Sequence, residues 1–246
     1  LKKIDICNCP NFTASLQLVN CPNIQEIYAT GSGITSVELP SSGYLKKVYL
    51  PGTLTNLTVT NQQYIEEFDL EGYDNLTTLR IEKTVNIPVE DIMLNAPNLN
   101  RVRLLDVTWS AESEDALRQT IEKFKSCLGL DANGNNTDKA VVTGKVTVPS
   151  ISDELFNDIY ENFPNLVVDD GSGKPYILNY KDRDGNSLYV TRVAEGADAF
   201  NPIEKGYIET PATIETETYK YTYIGFDKDY NAKVQQIIYF WNTISL

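Results

Sequence analysis

The side chains able to do chemistry fall into a few groupings, and the first is a set of three acidic loops. Asp131-x-Asn133-x-Asn135, Asp182-x-Asp184-x-Asn186 and Asp227-x-Asp229-x-Asn231 space oxygen ligands as a calcium loop begins. A helix–loop–helix calcium loop also needs Gly at its sixth position and a bidentate Glu at its twelfth. Here the sixth positions are Asn136, Ser187 and Ala232, and the twelfth are Val142, Val193 and Ile238, so all three read as turns. Cys7, Cys9, Cys21 and Cys127 lack a paired C-x-x-C, and the chain has no histidine to complete four zinc ligands. They read as small core residues. The missing histidine also removes the usual general base and every Ser-His or Cys-His nucleophile. Paired carboxylates such as Glu66/Glu67 and Asp169/Asp170 arise readily among 34 acidic residues. GSG at 31–33 leads into a strand rather than a helix N-terminus, so it is no phosphate loop. No catalytic residue, metal ligand or cofactor is assigned.

The positions that repeat are more informative. An L-x-x-L-x-L pattern, with Ile, Val or Phe replacing Leu, runs through residues 1–109 in two interleaved sets. Set one starts at 1, 24, 45 and 65, and set two near 12 and at 34, 54, 76 and 99, each stepping by 20–23 residues. The L-x-L part has the strand period of two. Turn residues mark the corners: Asn-x-Pro-Asn followed by an apolar residue at 8–12, 20–24, 95–99 and 162–166, with a looser copy at 72–76. Stacked coils of two strands each predict two short parallel ladders around a shared core, with Leu57 and Leu79 inside and Thr55 outside. Set one then presents Lys2-Lys3-x-Asp5, Gln25-Glu26-x-Tyr28, Lys46-Lys47-x-Tyr49 and Glu66-Glu67-x-Asp69 to solvent. In register, at about 4.8 Å per strand, Tyr28 lies over Tyr49 and the lysines lie between rows of acids. This is either a solvated, register-setting surface or a binding face made of Tyr28, Tyr49, Lys46, Lys47, Glu66 and Glu67. Exposed aromatics among mixed charges suit protein or glycan contact.

Residues 1–109, with LKKVYLPGTLTNLTV and YIEEFDLEGYDNLTTLRIE as typical stretches, resemble a leucine-rich repeat solenoid of bacterial surface and tailed-phage proteins. After Trp109 the pattern changes. SAESEDALRQTIEKFKSCLG (110–129) predicts a helix with a Ser cap, an acidic first turn and Leu117, Ile121, Phe124 and Leu128 on one face. LDANGNNTDK reads as a loop, 140–149 as a strand, 151–163 as a helix capped by Ser152, and 165–168 as a strand. Residues 110–169 would be αβ terminal coils capping the core, and 170–175 a linker. YILNYKDRDGNSLYVTRVAEG (176–196) alternates apolar and polar across a DG turn, the mark of a hairpin, and 219–241 repeats the scheme with aromatic strands; 176–246 is the segment they share. This segment resembles the internalin-type B repeat, a β-grasp-like module, on Tyr180, Asp182, Asp184 and Gly185 and on Tyr221, Tyr223, Gly225 and Phe226. The expected fold class is α+β, mostly β: a solenoid with two short parallel ladders, an αβ cap and a small β-grasp-like domain.

Net charge is −13, which disfavours nucleic acid and anionic membrane surfaces as partners. No run approaches the roughly 20 apolar residues of a membrane span. Leu1 stands inside a repeat without an initiator Met, so the expectation is a piece of a longer or processed polypeptide. The resemblance implies a non-enzymatic structural or interaction protein of a tailed-phage virion, as tail, baseplate, fibre or head decoration. Its partners would be other virion or cell-surface proteins, host-surface glycan or protein, or further copies of itself. A bacterial cell-surface adhesin of internalin type and a non-catalytic appendage of a glycan-active enzyme are the alternatives.

Overall fold

At each Asn-x-Pro-Asn corner the carbonyl of x accepts a hydrogen bond from the amide three residues on. The pairs are Cys9–Phe12 (2.9 Å), Cys21–Ile24 (3.3 Å), Ala96–Leu99 (3.3 Å) and Phe163–Leu166 (2.9 Å), with Tyr73–Leu76 (3.1 Å) at the looser copy. This is the closing bond of a β-turn with Pro second, where its fixed φ fits and its missing N–H costs nothing. The last Asn links one turn to the turn before it. Asn75 Nδ2 donates to the Gly52 carbonyl (2.9 Å) and Asn98 Nδ2 to that of Asp74 (2.7 Å). The apolar residue that follows is buried at Ile24, Leu76, Leu99 and Leu166, whereas Phe12 is 41% exposed.

The computed structural model describes residues 1–41, 43–174, 176–181, 187–193, 203, 214–215, 219–230 and 234–245. It divides into two units, Leu1–Asp170 and Gly171–Leu246. In the first unit the strands are β1 (Lys3–Asp5), β2 (Leu16–Gln17), β3 (Glu26–Tyr28), β4 (Ser36–Glu38), β5 (Lys47–Leu50), β6 (Asn56–Thr60), β7 (Glu67–Leu70) and β8 (Thr78–Glu82). Then come α1 (Val89–Asn95), β9 (Arg101–Ser110), α2 (Glu114–Ser126), β10 (Gly129–Leu130), β11 (Asn136–Thr137), β12 (Val141–Thr147), α3 (Asp153–Asn162) and β13 (Leu166–Asp169). Alternate strands go to alternate sheets. One sheet has the order β1-β3-β5-β7 and the other β13-β12-β9-β8-β6-β4-β2, with every pairing parallel.

The expected α+β solenoid with two short ladders and a terminal cap is corrected by this topology. The unit is an α/β fold of two parallel sheets, four- and seven-stranded, with three helices among the described residues. The physical reason lies in how the helices connect. α1, α2 and α3 each lie between parallel neighbours of the seven-stranded sheet: β8 and β9, β9 and β12, β12 and β13. They are crossover connections of the kind parallel strands require, and the sheet continues through them.

The apolar triplets turn inward on both sheets. Ile27 pairs with Val48 and Val48 with Phe68; Val37 pairs with Leu57, Leu57 with Leu79 and Leu79 with Val102. All are fully buried except Phe68, which is half-buried. The first triplet departs from this, with Leu1 77% exposed. On α2 the cap is Ser113, whose Oγ accepts from the Ala116 amide at 3.1 Å, because β9 runs on through Ser110. Leu117, Ile121 and Phe124 are buried, but Leu128 lies past the helix and is 43% exposed. Ser152 caps α3, accepting from Leu155.

In the second unit the described strands are β14 (Tyr176–Lys181), β15 (Ser187–Val193), β16 (Ile214–Glu215), β17 (Tyr219–Tyr230) and β18 (Val234–Ser245). They form one sheet in the order β15-β14-β18-β17-β16, parallel only between β14 and β18. Tyr221, Tyr223, Gly225 and Phe226 lie on β17, whose pairing with β18 is bulged between Tyr223 and Gly225. Asp182, Asp184, Gly185, Asn186 and Asn231 lie outside the described residues.

Candidate functional site

The register of the four-stranded sheet assembles the candidate residues. Lys3 faces Glu26, Glu26 faces Lys47 and Lys47 faces Glu67, so charge alternates along one row. Two residues further along each strand the row reads Asp5, Tyr28, Tyr49, Asp69. Side chains two apart share a face, so both rows point away from the core that Ile27 and Val48 fill. The tyrosine rings stack with centroids 5.3 Å apart and planes 9° from parallel. Strand spacing sets that distance: equal side chains on neighbouring parallel strands lie about 4.8 Å apart. Lys3 Nζ lies 4.2 Å from the Tyr28 ring centre, a cation–π contact on the face opposite Tyr49.

The charges are paired across strands. Lys46 Nζ meets Glu66 at 2.9 Å and Lys47 Nζ meets Glu67 at 2.6 Å. Glu67 also accepts from the Tyr49 hydroxyl. The bonds from Lys47 and then Tyr49 hold the Glu67 carboxyl below its usual range. The same bonds push the Lys47 ammonium and the Tyr49 phenol up. Each group is driven away from neutral-pH titration, the reverse of what a general acid or base needs. As largely exposed pairs they add little stability; they fix where the side chains lie.

Beyond Tyr49 the face ends in an open cleft of about 500 Å³. It is lined by Tyr49, by residues 66–69 of and before β7, and by the segment 86–88 before α1. Tyr28, Tyr49, Lys47 and Glu67 therefore fall in the two rows, while Lys46 and Glu66, paired with each other, stand just before β5 and β7, with Glu66 lining the cleft. The register adds Lys3 and Asp69 to the same two rows. Asn86, Ile87 and Pro88 carry no periodic signal and were not legible as part of a site.

The remaining groupings resolve as follows. Asp131 Oδ1 accepts from the amides of Asn133 and Asn135 (both 2.8 Å), and Oδ2 accepts from Asn135 Nδ2 (2.9 Å). The Asn135 bonds lower the Asp131 carboxyl, and the loop is an Asx turn closed on itself. The cysteines are not all core residues. Cys127 is buried, Cys7 and Cys21 are half-buried and Cys9 is exposed, which corrects the core reading for three of the four. Among the described residues no group of three or more His, Cys, Asp or Glu side chains converges as a metal site. No helix among them is long and apolar enough to cross a membrane. Comparison with protein-family models, curated proteins and solved structures finds nothing that matches the chain.

Proposed function

We propose that this chain is a non-enzymatic structural and interaction protein whose contact surface is the outer face of the four-stranded sheet. The observation that carries the reading is the Tyr28–Tyr49 stack held in register between alternating charges. Such a surface offers rigid aromatic area and fixed charge at little ordering cost, because neighbouring strands already hold the side chains. The directions in which Glu67, Lys47 and Tyr49 are shifted favour binding over proton transfer. The setting that the resemblance to tailed-phage and bacterial surface proteins supports is a virion, as a tail, baseplate, fibre or head component. The test is to localise the chain in purified particles with an antibody, and to incubate the isolated chain with host-surface polysaccharide. The reading requires the chain on the particle and no hydrolysis products. A free cytoplasmic protein, or cleavage by the isolated chain, overturns it.

A further inference from the structure

The order of groups along the middle of this face is Lys3, Tyr28, Tyr49, and then the cleft. Tyr28 has a cation on one side and a ring on the other. Tyr49 has a ring on one side only. Its register partner on β7 is Asp69, whose side chain is too short to cover a phenol ring, and both residues line the cleft. The carboxylates there are not equivalent. Glu66 is paired with Lys46, and Glu67 with Lys47 and Tyr49, whereas Asp69 is exposed and bonded to no cation among the described residues. β7 is the last strand of its sheet, so the cleft lies at a sheet edge.

We propose that this cleft receives the guanidinium group of an arginine presented by a partner polypeptide. The proposal rests on reading the sheet as an interaction face and names the chemistry that face selects. A planar guanidinium stacks on a phenol ring and forks onto a carboxylate, here Asp69, with Glu66 beside it. It places a cation on the open end of the aromatic pair, as Lys3 does on the other. An ammonium is a compact point charge and gains less from the ring. A calcium ion wants six or more converging oxygens, and two of the three carboxylates are already engaged. A chain of net charge −13 attracts a basic partner at long range.

The test is a titration of the full chain with a capped Gly-Arg-Gly peptide, read by NMR at the Tyr49 ring and the β7 amides. The control replaces arginine by citrulline, which is isosteric and uncharged. The arginine peptide should bind at least about tenfold more tightly than the citrulline peptide. Asp69→Asn and Tyr49→Leu should each weaken it about tenfold, with thermal melts confirming that both variants fold. Equal binding of the two peptides overturns the proposal, as does an affinity indifferent to Asp69→Asn. Shifts produced by calcium or a neutral oligosaccharide but not by the peptide also overturn it. Loss of peptide binding in a chain that still needs Tyr28 for assembly removes the cleft and leaves the wider interaction face standing.

Discussion

At the scale of single residues, one charge cluster away from the proposed face ties two strands to a loop. Glu82 on β8 accepts from Arg80 and Arg103 Nε at 2.9 and 2.6 Å. Both arginines continue to the loop that carries β10 and β11: Arg80 Nη2 to the Ala132 carbonyl and Arg103 Nη1 to that of Leu130. Desolvation disfavours ionisation of Glu82, but Arg103 and Arg80 outweigh it and its carboxyl stays lowered. Glu82→Gln leaves two largely buried cations without a counter-charge and should cost about 2–3 kcal/mol in denaturant unfolding. A change below about 0.5 kcal/mol would contradict this account. Little of the cluster is legible in the sequence, because Glu82 lies two residues along from the register pair Arg80–Arg103, and the loop carbonyls of Leu130 and Ala132 that the arginines reach lie outside the repeat. The Tyr28–Tyr49 pair is legible, because equal positions in successive repeats become neighbours once strands pair in register.

At the scale of elements, the inside and outside of each strand carry unequal energy. Leu57 and Leu79 are fully buried, and truncating either to Ala should cost about 2–5 kcal/mol through lost burial and a cavity. Thr55→Ala, at an outward position, should change stability by less than about 0.5 kcal/mol. Equal effects at both kinds of position in thermal melts would contradict the assignment. The join of β9 and β12 makes a sharper demand. Gly144 has φ +121°, and a Cβ there would stand 2.1 Å from the Val107 carbonyl oxygen, where the register shifts. Gly144→Ala should therefore cost more than about 2 kcal/mol, or force this edge of the sheet to rearrange. A melting temperature unchanged by it would refute the bulge. Sequence periodicity marks β12, α2 and α3 but not α1. Val89, Ile92, Met93 and Ala96 have helical spacing and are buried, yet the helix is two turns long and opens on Pro88 without a side-chain cap. The sequence does not mark the helices as crossovers of one sheet, because strand partners are set by pairing at a distance.

At the scale of the whole molecule, charge governs the response to acid. The carboxyls of Glu67, Glu82, Glu114 and Asp131 are lowered, by Lys47, by arginines, by Ser152 and by Asn135 respectively. A carboxyl whose folded value lies below its unfolded one adds stability above the unfolded value and loses it as pH falls through the folded one. With no histidine in the chain, the melting temperature should be flat between about pH 6 and 8 and fall progressively below about pH 4.5. A step near pH 6.5 would contradict that assignment. The central claim is that the four-stranded sheet presents the contact surface while the seven-stranded sheet does not. The most direct measurement compares two double variants, each confirmed as folded, for incorporation and host attachment in reconstituted particles. Tyr28→Ala with Tyr49→Ala removes the stack, and Thr58→Ala with Thr78→Ala alters the outer positions of the other sheet. The account predicts that the tyrosine variant loses most of its attachment or incorporation and the threonine variant keeps it; equal behaviour of the two would contradict it.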